Sequence, residues 1–240
     1  MEKFNQKKIL VTGGSGRLGG ELKKLFPLAQ FPSSKQLDVT RLASVINYFN
    51  HHKISLVIHA AALAVPQQAE DNPNLAIEAN IIGTANIAQA CLRHRAKLVY
   101  ISTDYVFKGD KGNYKETDAV WPVNKYAWSK LGGEAAVRLL PDFLIIRTSF
   151  GEKVFPHKAA FIDHFTSRES VNVIGGKIAK AIKKNLSGTL HVGAKRRSVY
   201  QYAQSLNPKQ EIKKISRLKV SGIIPKDTSL NTGLYKKLLG

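Results

Sequence analysis

Short apolar runs alternate with longer amphipathic stretches through the first 150 residues of the chain. The short runs are rich in β-branched side chains and predict strands at 8–12, 56–60, 97–103 and 143–147. In the longer stretches, apolar residues recur every three or four positions, which predicts helices at 18–26, 42–49, 73–94 and 126–140. Strands that alternate with helices predict an α/β fold built on a Rossmann-type doubly wound parallel sheet.

The hydrophobic pattern is weaker after Gly151. Residues 155–168 and 177–185 are predicted to be helical, and residues 188–192 to form a strand. We therefore expect one doubly wound domain over residues 1–150 and a smaller, basic lobe over residues 151–240 that contributes elements back to it.

Composition excludes several classes of protein. The 240 residues are 43% hydrophobic and 22% charged, which is typical of a globular chain. The single cysteine, Cys91, has no partner for an internal disulfide and gives too few thiolates for a multi-cysteine zinc site. No run of about 18 apolar residues indicates a membrane span, and the run at 9–11 is too short for a signal peptide. A cytoplasmic protein with no metal site and no membrane partner is expected.

The chain is strongly basic, with a net charge of +20 from 37 Lys and Arg against 17 Asp and Glu. Nineteen of these basic residues lie after residue 140, beside only six acidic ones. Such a field attracts polyanions, whether nucleic acid, anionic lipid or a phosphorylated small molecule. Most basic residues are single or paired, and Lys195-Arg196-Arg197 is the one run of three. Because no basic stripe with interleaved aromatic residues is present, the sequence does not favour nucleic-acid binding.

A glycine-rich segment follows the first predicted strand and opens the first predicted helix. Gly13, Gly16 and Gly19 recur at every third position, and Gly14 gives the alternative GxGxxG spelling. In this context backbone N–H groups at the helix N-terminus point toward a pyrophosphate, and the absent Cβ atoms let it approach closely. The segment predicts dinucleotide binding, and the alternative is a plain turn between strand and helix.

The residues about 20 positions further on bear on the choice between NADP(H) and NAD(H). The weakly apolar segment 28–31 is the candidate second strand, and Ser33 and Lys35 follow it without a carboxylate. Hydroxyl groups and an ammonium there, together with Arg17, suit a 2′-phosphate and favour NADP(H), with NAD(H) as the alternative. Asp38 has nearly the spacing of a ribose-binding acid, and its alternative role is to cap the next predicted helix.

Three side chains have the chemistry and spacing for carbonyl reduction. Tyr126 and Lys130 lie four residues apart on a predicted helix and therefore on one face of it. Thr103 ends a predicted strand, at the edge where open parallel sheets bind ligands. A phenol can protonate the carbonyl oxygen if a neighbouring ammonium lowers its pKa from about 10. We therefore expect Tyr126 to be the acid, Lys130 to lower its pKa, and Thr103 to hold the carbonyl.

Several motifs together resemble the extended short-chain dehydrogenase/reductases and, within them, the dTDP-4-dehydrorhamnose reductase family. They are TGGSGRLG at 12–19, LDVT at 37–40, HAAA at 59–62, STDYVFKG at 102–109, YKETD at 114–118, YAWSK at 126–130, RTS at 147–149 and IPKDTSLNT at 224–232. The resemblance implies an NADP(H)-dependent reductase of a nucleotide-activated 4-keto-6-deoxy sugar. It also implies an NAD(P)-binding domain, a substrate-binding lobe and a homodimer.

The resemblance assigns roles to individual residues. Thr103, Tyr126 and Lys130 would form the catalytic triad, and Lys130 would also hold the nicotinamide ribose. Asp104, Tyr105 and Phe150 would border the substrate, and turn capping and core packing are the alternative roles of Asp104 and Tyr105. With Ser33 added from the 2′-phosphate argument, the cofactor-binding residues would be Gly13, Gly16, Arg17, Leu18, Ser33, Asp38, Val39, Ala60, Ala61, Ala62, Tyr126 and Lys130.

The sequence departs from that family on the substrate side. After a strand expected at 170–174, family members carry a segment with an acidic residue, a glycine and a Pro-Thr pair, whereas Ile174 here runs directly into Gly175. Phe150 stands where Trp is commoner, and Trp128 where a small residue is usual. Family members also continue beyond the position of Gly240. These departures predict a trimmed substrate lobe.

Two functions remain open from the sequence. The intact triad favours the reductase, in which basic residues such as Lys158, Arg168 or Lys226 would neutralise the diphosphate of the substrate. The trimmed lobe favours a non-catalytic NADP(H)-binding regulator, because the regulatory beta subunit of methionine adenosyltransferase is similar to the same reductases.

Overall fold

The computed structural model describes residues 5–220 and 223–240. Numbered in chain order, its main strands are β1 (Ile9–Thr12), β2 (Leu56–His59), β3 (Lys97–Thr103), β4 (Phe143–Thr148) and β9 (Gly188–Val192). They form one parallel sheet in the order β1-β2-β3-β4-β9. The strands are largely buried because helices cover both faces of the sheet. The predicted α/β fold with a Rossmann-type sheet is confirmed.

Helices form a layer on each face of the sheet. One layer contains α1 (Arg17–Leu25), α7 (Val171–Lys183) and α9 (Gly233–Leu239), which share a core with alternate residues of the strands. The other layer contains α2 (Leu42–His51), α5 (Gly83–His94) and α6 (Lys125–Val137), which pack on the opposite face. Single turns of 3-10 helix cover Gln6–Lys8, Asp104–Val106 and Arg217–Lys219.

The predicted helix at 73–94 is confirmed as one continuous helix. It follows α3 (Pro66–Asp71) and consists of α4 (Pro73–Ala76), a π-helical segment (Ile77–Ile82) and α5. By length and composition alone, with a mean hydropathy of 1.2, Pro73–His94 is apolar enough to cross a membrane. Half of it is buried, and Ile87 and Cys91 pack in the core against the sheet. Packing in the core accounts for its apolar composition.

The candidate second strand at 28–31 is reduced to one parallel bridge between Leu10 and Gln30. This bridge lies on one side of β1, and β2 pairs with the other side. After β1 the chain first passes along one side of that strand, at Gln30, and then crosses to form β2 on its other side. This change of side places a topological switch point at the carboxyl end of β1. In open α/β sheets this is where ligands bind.

Residues after 150 differ most from the predictions. Six short strands pair two by two, and they are β5 (Phe150–Gly151), β6 (Ala159–Phe161), β7 (Phe165–Thr166), β8 (Glu169–Ser170), β10 (Arg197–Ser198) and β11 (Lys213–Ile215). The helix predicted at 155–168 is wrong, because β6 pairs with β11 and β7 with β10, both distant in sequence. The α8 helix (Val199–Leu206) completes a small core with β6.

The strand expected at 170–174 is also wrong, because α7 begins at Val171. Ile174, Ile178 and Ile182 recur at helical spacing and are buried against the sheet. α7 and β9 therefore lie within the main sheet and its helical layer, although both come after residue 150. The division into domains at residue 150 stays a prediction.

Candidate active site

A cleft of about 480 Å³ opens at the carboxyl ends of the parallel strands. Thr103 at the end of β3, Tyr126 and Lys130 on α6, and Arg17 on α1 all line it. Its opposite wall comes from the chain after β4, including Phe150. Parallel strands end at one edge of the sheet, and for this reason residues distant in sequence meet here.

The glycine-rich turn packs closely at one end of the cleft. Gly13 has a φ of +72°, and a Cβ there would lie 2.6 Å from the backbone nitrogen of Ala61. A Cβ on Gly19 would overlap the carbonyl oxygen of Gly13. α1 begins at Arg17 with Gly16 as its N-cap, and its first turn has neither a side-chain cap nor an acidic residue. This uncapped N-terminus, beside the cleft that Arg17 lines, fits the pyrophosphate of a dinucleotide.

The three predicted catalytic side chains meet in a buried corner of the cleft. The Tyr126 side chain lies near the Thr103 hydroxyl, which acts to lower the pKa of the phenol. Lys130 is only 3% exposed, and its Nζ lies 4.1 Å from the ring centroid of Tyr100. Asn124 fixes the start of α6 because its Oδ1 accepts a hydrogen bond of 2.8 Å from the Ala127 N–H.

The electrostatics of Tyr126 differ from the expectation. Burial raises the pKa of Tyr126 well above its usual value, and the charges of Asp104 and Tyr105 raise it further against a lowering by the Thr103 hydrogen bond. Burial itself lowers the pKa of Lys130 to about 7, opposed by the charge of Glu134. Because burial raises the pKa of Tyr126, the phenol stays protonated at neutral pH.

Asp104 lines the cleft and is also a structural connection. Its Oδ2 accepts hydrogen bonds from the hydroxyls of Thr228 (2.7 Å) and Thr166 (3.1 Å), and its Oδ1 from Thr103 (3.3 Å). Burial raises the pKa of Asp104, while these hydrogen bonds and the charge of Arg168 lower it. Asp104 thus joins the end of β3 to two segments of the C-terminal part of the chain.

Tyr105 lies between the part of the cleft that contains Tyr126 and a second cavity on the surface. Its ring meets that of Tyr126 edge to face at a centroid distance of 6.4 Å, and its hydroxyl lies 3.4 Å from Nε2 of His164. Burial raises the pKa of Tyr105 to about 12, with the charge of Arg168 acting in the opposite direction. Tyr105 is therefore a neutral wall of the cleft at physiological pH.

The predicted cofactor residues lie in three places. Ala60 and Ala62 line the cleft together with Arg17, and the N–H of Ala61 donates a hydrogen bond of 3.3 Å to the Thr12 hydroxyl. Leu18 is 4% exposed and packs in the core, so that only its backbone is available to a ligand.

The other predicted cofactor residues lie beyond the cleft lining. Ser33 is exposed, and its N–H and hydroxyl both donate to Oε1 of Gln36. Asp38 accepts hydrogen bonds from the N–H and hydroxyl of Thr40, which is a turn-capping role just before α2. The carbonyl oxygen of Val39 accepts a hydrogen bond from Asn86.

The substrate side of the cleft contains one of the three basic residues predicted to neutralise the diphosphate of the substrate. Arg168 lines the cleft, and its Nε is buried without a hydrogen-bond partner among the described residues. Lys158 lines a different cavity, and Lys226 is exposed outside both. A guanidinium group that lines the cleft fits an anionic group of a ligand.

Several further residues that line the cleft were not predicted from the sequence. Glu152, Phe155, His157 and Tyr202 line the same wall as Arg168. Glu152 forms an ion pair of 2.7 Å with Arg17 across the mouth of the cleft, and its carbonyl accepts a hydrogen bond from Tyr202. No motif marks these residues, because they come from irregular segments that tertiary pairing brings together. Among the described residues, no group of His, Cys, Asp or Glu is arranged to hold a metal ion.

Comparison with known proteins agrees with this architecture. The chain is 37% identical over 155 residues to dTDP-4-dehydrorhamnose reductase of Aggregatibacter actinomycetemcomitans, covering 60% of this chain and 52% of that protein. It is 27% identical over 224 residues to the methionine adenosyltransferase 2 subunit beta of Pongo abelii, covering 77% of this chain and 66% of that one. The chain thus spans about half the length of the curated reductase.

Solved structures show the same fold. The crystal structure of dTDP-4-dehydrorhamnose reductase from Bacillus anthracis in complex with NADP superposes with a TM-score of 0.87 at 29% identity, covering 96% of this chain and 92% of that one. The family model of the RmlD substrate binding domain matches residues 7–178, which is most of the chain. This chain belongs to the RmlD substrate binding domain family.

Proposed function

We propose that this protein reduces the 4-keto group of a nucleotide-activated 6-deoxy sugar with NADPH, in the manner of a dTDP-4-dehydrorhamnose reductase. The observation that carries the proposal is the convergence of Thr103, Tyr126 and Lys130 in one cleft whose far end is the uncapped N-terminus of α1. The names of the reductases that the chain resembles support the same chemistry.

The protonation state of Tyr126 fits an acid in a reduction. Burial keeps the phenol protonated, because it raises the pKa of Tyr126. The Thr103 hydroxyl donates a hydrogen bond of 3.3 Å to Oδ1 of Asp104, and the Tyr126 phenol lies near that hydroxyl. A substrate carbonyl in this corner would accept a hydrogen bond from the phenol. Its oxygen would receive the phenol proton as negative charge develops there.

The cofactor end of the cleft would be filled by NADP(H), which when bound supplies the hydride. The N–H groups of the first turn of α1 and the side chain of Arg17 would hold its pyrophosphate. Ser33 and Lys35, with no carboxylate between them, would accommodate the 2′-phosphate. Arg17 pairs with Glu152 at 2.7 Å, and a bound phosphate would compete with that carboxylate.

The substrate end would accept a diphosphate beside Arg168. Its guanidinium supplies positive charge and N–H donors at the cleft wall, while Phe150 and Tyr105 provide apolar walls. The identity of the sugar is set by this wall, which comes from residues after β4. A homodimer and a cytoplasmic location stay predictions.

The test is to follow oxidation of NADPH with dTDP-4-keto-6-deoxy sugars. Tyr126→Phe should lower the rate by roughly 10²- to 10⁴-fold, because it removes the proton donor, while leaving NADPH affinity within about threefold. Tyr200→Phe, on α8 outside the cleft, is the matched control and should keep the wild-type rate. Full activity of Tyr126→Phe would show that another group donates the proton.

A non-catalytic NADP(H)-binding regulator is the second candidate. The alignment with the methionine adenosyltransferase beta subunit extends over 77% of this chain, further than that with the reductase. Tight NADPH binding, measured by fluorescence titration, with no oxidation by any keto sugar would favour the regulator and reject the reductase.

A further inference from the structure

The outer surface of one helical layer is strongly basic. α1, α7 and α9 lie side by side, since the Tyr235 hydroxyl donates to the Lys177 carbonyl and Lys183 lies over the ring of Phe26. We call their solvent-facing side the lysine face. Its exposed lysines are Lys23, Lys24, Lys180, Lys183, Lys184, Lys236 and Lys237.

Few carboxylates compensate this charge. Glu21 is the only acidic residue within the three helices, and it pairs with Lys24 at 2.9 Å and Lys153 at 3.1 Å. Within the described residues, Lys23 and the pairs Lys183-Lys184 and Lys236-Lys237 have no ion-pair partner. Helices α3 to α6, on the other side of the sheet, carry both signs of charge, including Glu70, Asp71 and Glu78. The lysine face is therefore a local concentration of positive charge, and basic residues such as Lys209 and Lys213 are exposed elsewhere on the surface.

Apolar side chains are exposed among these lysines. Leu234 and Leu238 on α9 are 38% and 45% exposed, and Val173 on α7 is 40% exposed. Lysines interspersed with exposed aliphatic residues on a helical surface are typical of segments that lie on an anionic bilayer, where the ammonium groups meet headgroups and the aliphatic side chains enter the interface. Nucleic-acid surfaces favour arginine and stacking aromatic residues, whereas this face uses lysine and leucine.

We propose that the lysine face binds reversibly to anionic membrane surfaces, with α9 as the element that inserts. The site is separate from the cleft and does not depend on the reductase activity. The expectation of no membrane partner rested on the absence of a spanning segment, which has no bearing on a peripheral surface. The fold creates the face by placing Lys23 and Lys24 beside lysines more than 150 residues later in the chain.

The test is co-sedimentation of the full chain with vesicles of phosphatidylcholine alone or with 30% phosphatidylglycerol. We expect binding to the anionic vesicles only, with strong weakening between 0.1 and 0.5 M NaCl, because exposed charges are screened. The variant K183E/K184E/K236E/K237E should lose affinity by at least about a hundredfold. Leu234→Ser with Leu238→Ser should weaken binding less and leave its salt dependence in place.

A charge-matched control variant separates the effect of the lysine face on membrane binding from the effect of the net charge. The variant K53E/R93E/K115E/K209E changes the charge by the same amount at exposed positions outside α1, α7 and α9, and it should keep at least a third of the wild-type affinity. Equal loss in both variants would overturn the proposal, because net charge alone would then explain binding. Equal binding to neutral vesicles would also overturn it, as would tighter binding to a 30-base-pair DNA duplex than to anionic vesicles at the same salt concentration.

Discussion

Lys130 is a buried ionisable group, and its titration links the site to stability. Burial lowers the pKa of Lys130 to about 7, whereas a lysine in the unfolded chain titrates near 10.4. Between these values the unfolded chain binds more protons than the folded one. The free energy of unfolding should therefore rise with pH in this window, by a few kcal/mol at most, since one pKa unit corresponds to about 1.4 kcal/mol.

Urea denaturation at pH 7 and pH 10 measures this effect. Lys130→Met removes the buried ammonium, so its stability advantage over the wild type should be largest near pH 7 and should shrink toward pH 10. Lys53→Met, at an exposed position, corrects for charge effects that do not come from burial. A constant difference between Lys130→Met and the wild type across the range would mean that Lys130 titrates normally.

At the residue scale, the sequence predicted that Thr103, Tyr126 and Lys130 act together, and the structure brings all three into one cleft. Their catalytic roles stay predictions. Tyr126 and Lys130 were predicted from their spacing, because residues four positions apart lie on the same face of a helix, and Thr103 was predicted from its place at the end of a strand. The pKa of Tyr126 depends on its burial and on Asp104 and Tyr105, which approach it through the fold. Spacing along a helix gives no measure of desolvation, and for this reason the burial that raises the pKa of Tyr126 could not be predicted from the sequence.

At the scale of elements, α1 offers a matched pair of glycines. A Cβ on Gly19 would overlap the backbone of the glycine-rich turn, whereas a Cβ on Gly20, one position later in the same helix, would have nothing within 4 Å. Gly19→Ala should therefore lower the free energy of unfolding by more than about 2 kcal/mol and weaken NADPH binding. Gly20→Ala should raise it by up to about 1 kcal/mol, because alanine favours the helix.

Thermal and urea denaturation of the two variants distinguish these effects. Equal stabilisation by both substitutions would show that the turn can move away from α1, and that the close packing of Gly13 and Gly19 is not required.

Element prediction succeeded where burial repeats at a regular period. β1 to β4, α5 and α6 carry long apolar patterns, since one face of each helix and both faces of each strand are covered. The short strands β5 to β8 contain two or three residues each, too few to show a period. Their structure depends on partners such as β10 and β11, which the local sequence does not reveal.

At the scale of the whole molecule, Asp104 joins the carboxyl edge of the sheet to the C-terminal part of the chain. Asp104→Ala would leave the hydroxyls of Thr103, Thr166 and Thr228 without this acceptor, and should cost about 2–4 kcal/mol of unfolding free energy. Asp104→Asn keeps an acceptor of the same shape and removes a buried charge, so it should cost less than about 1 kcal/mol.

Urea denaturation of both variants tests this connection, with Asp71→Ala on exposed α3 as the control expected to stay within about 0.5 kcal/mol of the wild type. If Asp104→Asn were as damaging as Asp104→Ala, the negative charge rather than the hydrogen-bond geometry would hold these segments together.

The sequence by itself predicted the strands and helices of the Rossmann-type sheet and the glycine-rich turn, because each of these patterns lies within a short stretch of the chain. The catalytic roles of Thr103, Tyr126 and Lys130 stay predictions. The tertiary structure decided the rest: the arrival of Arg168 and Glu152 at the cleft, the role of Asp104 as a shared acceptor, and the gathering of lysines onto one helical layer. These depend on which distant segments pack together, and that is fixed by burial of the whole chain rather than by any local pattern.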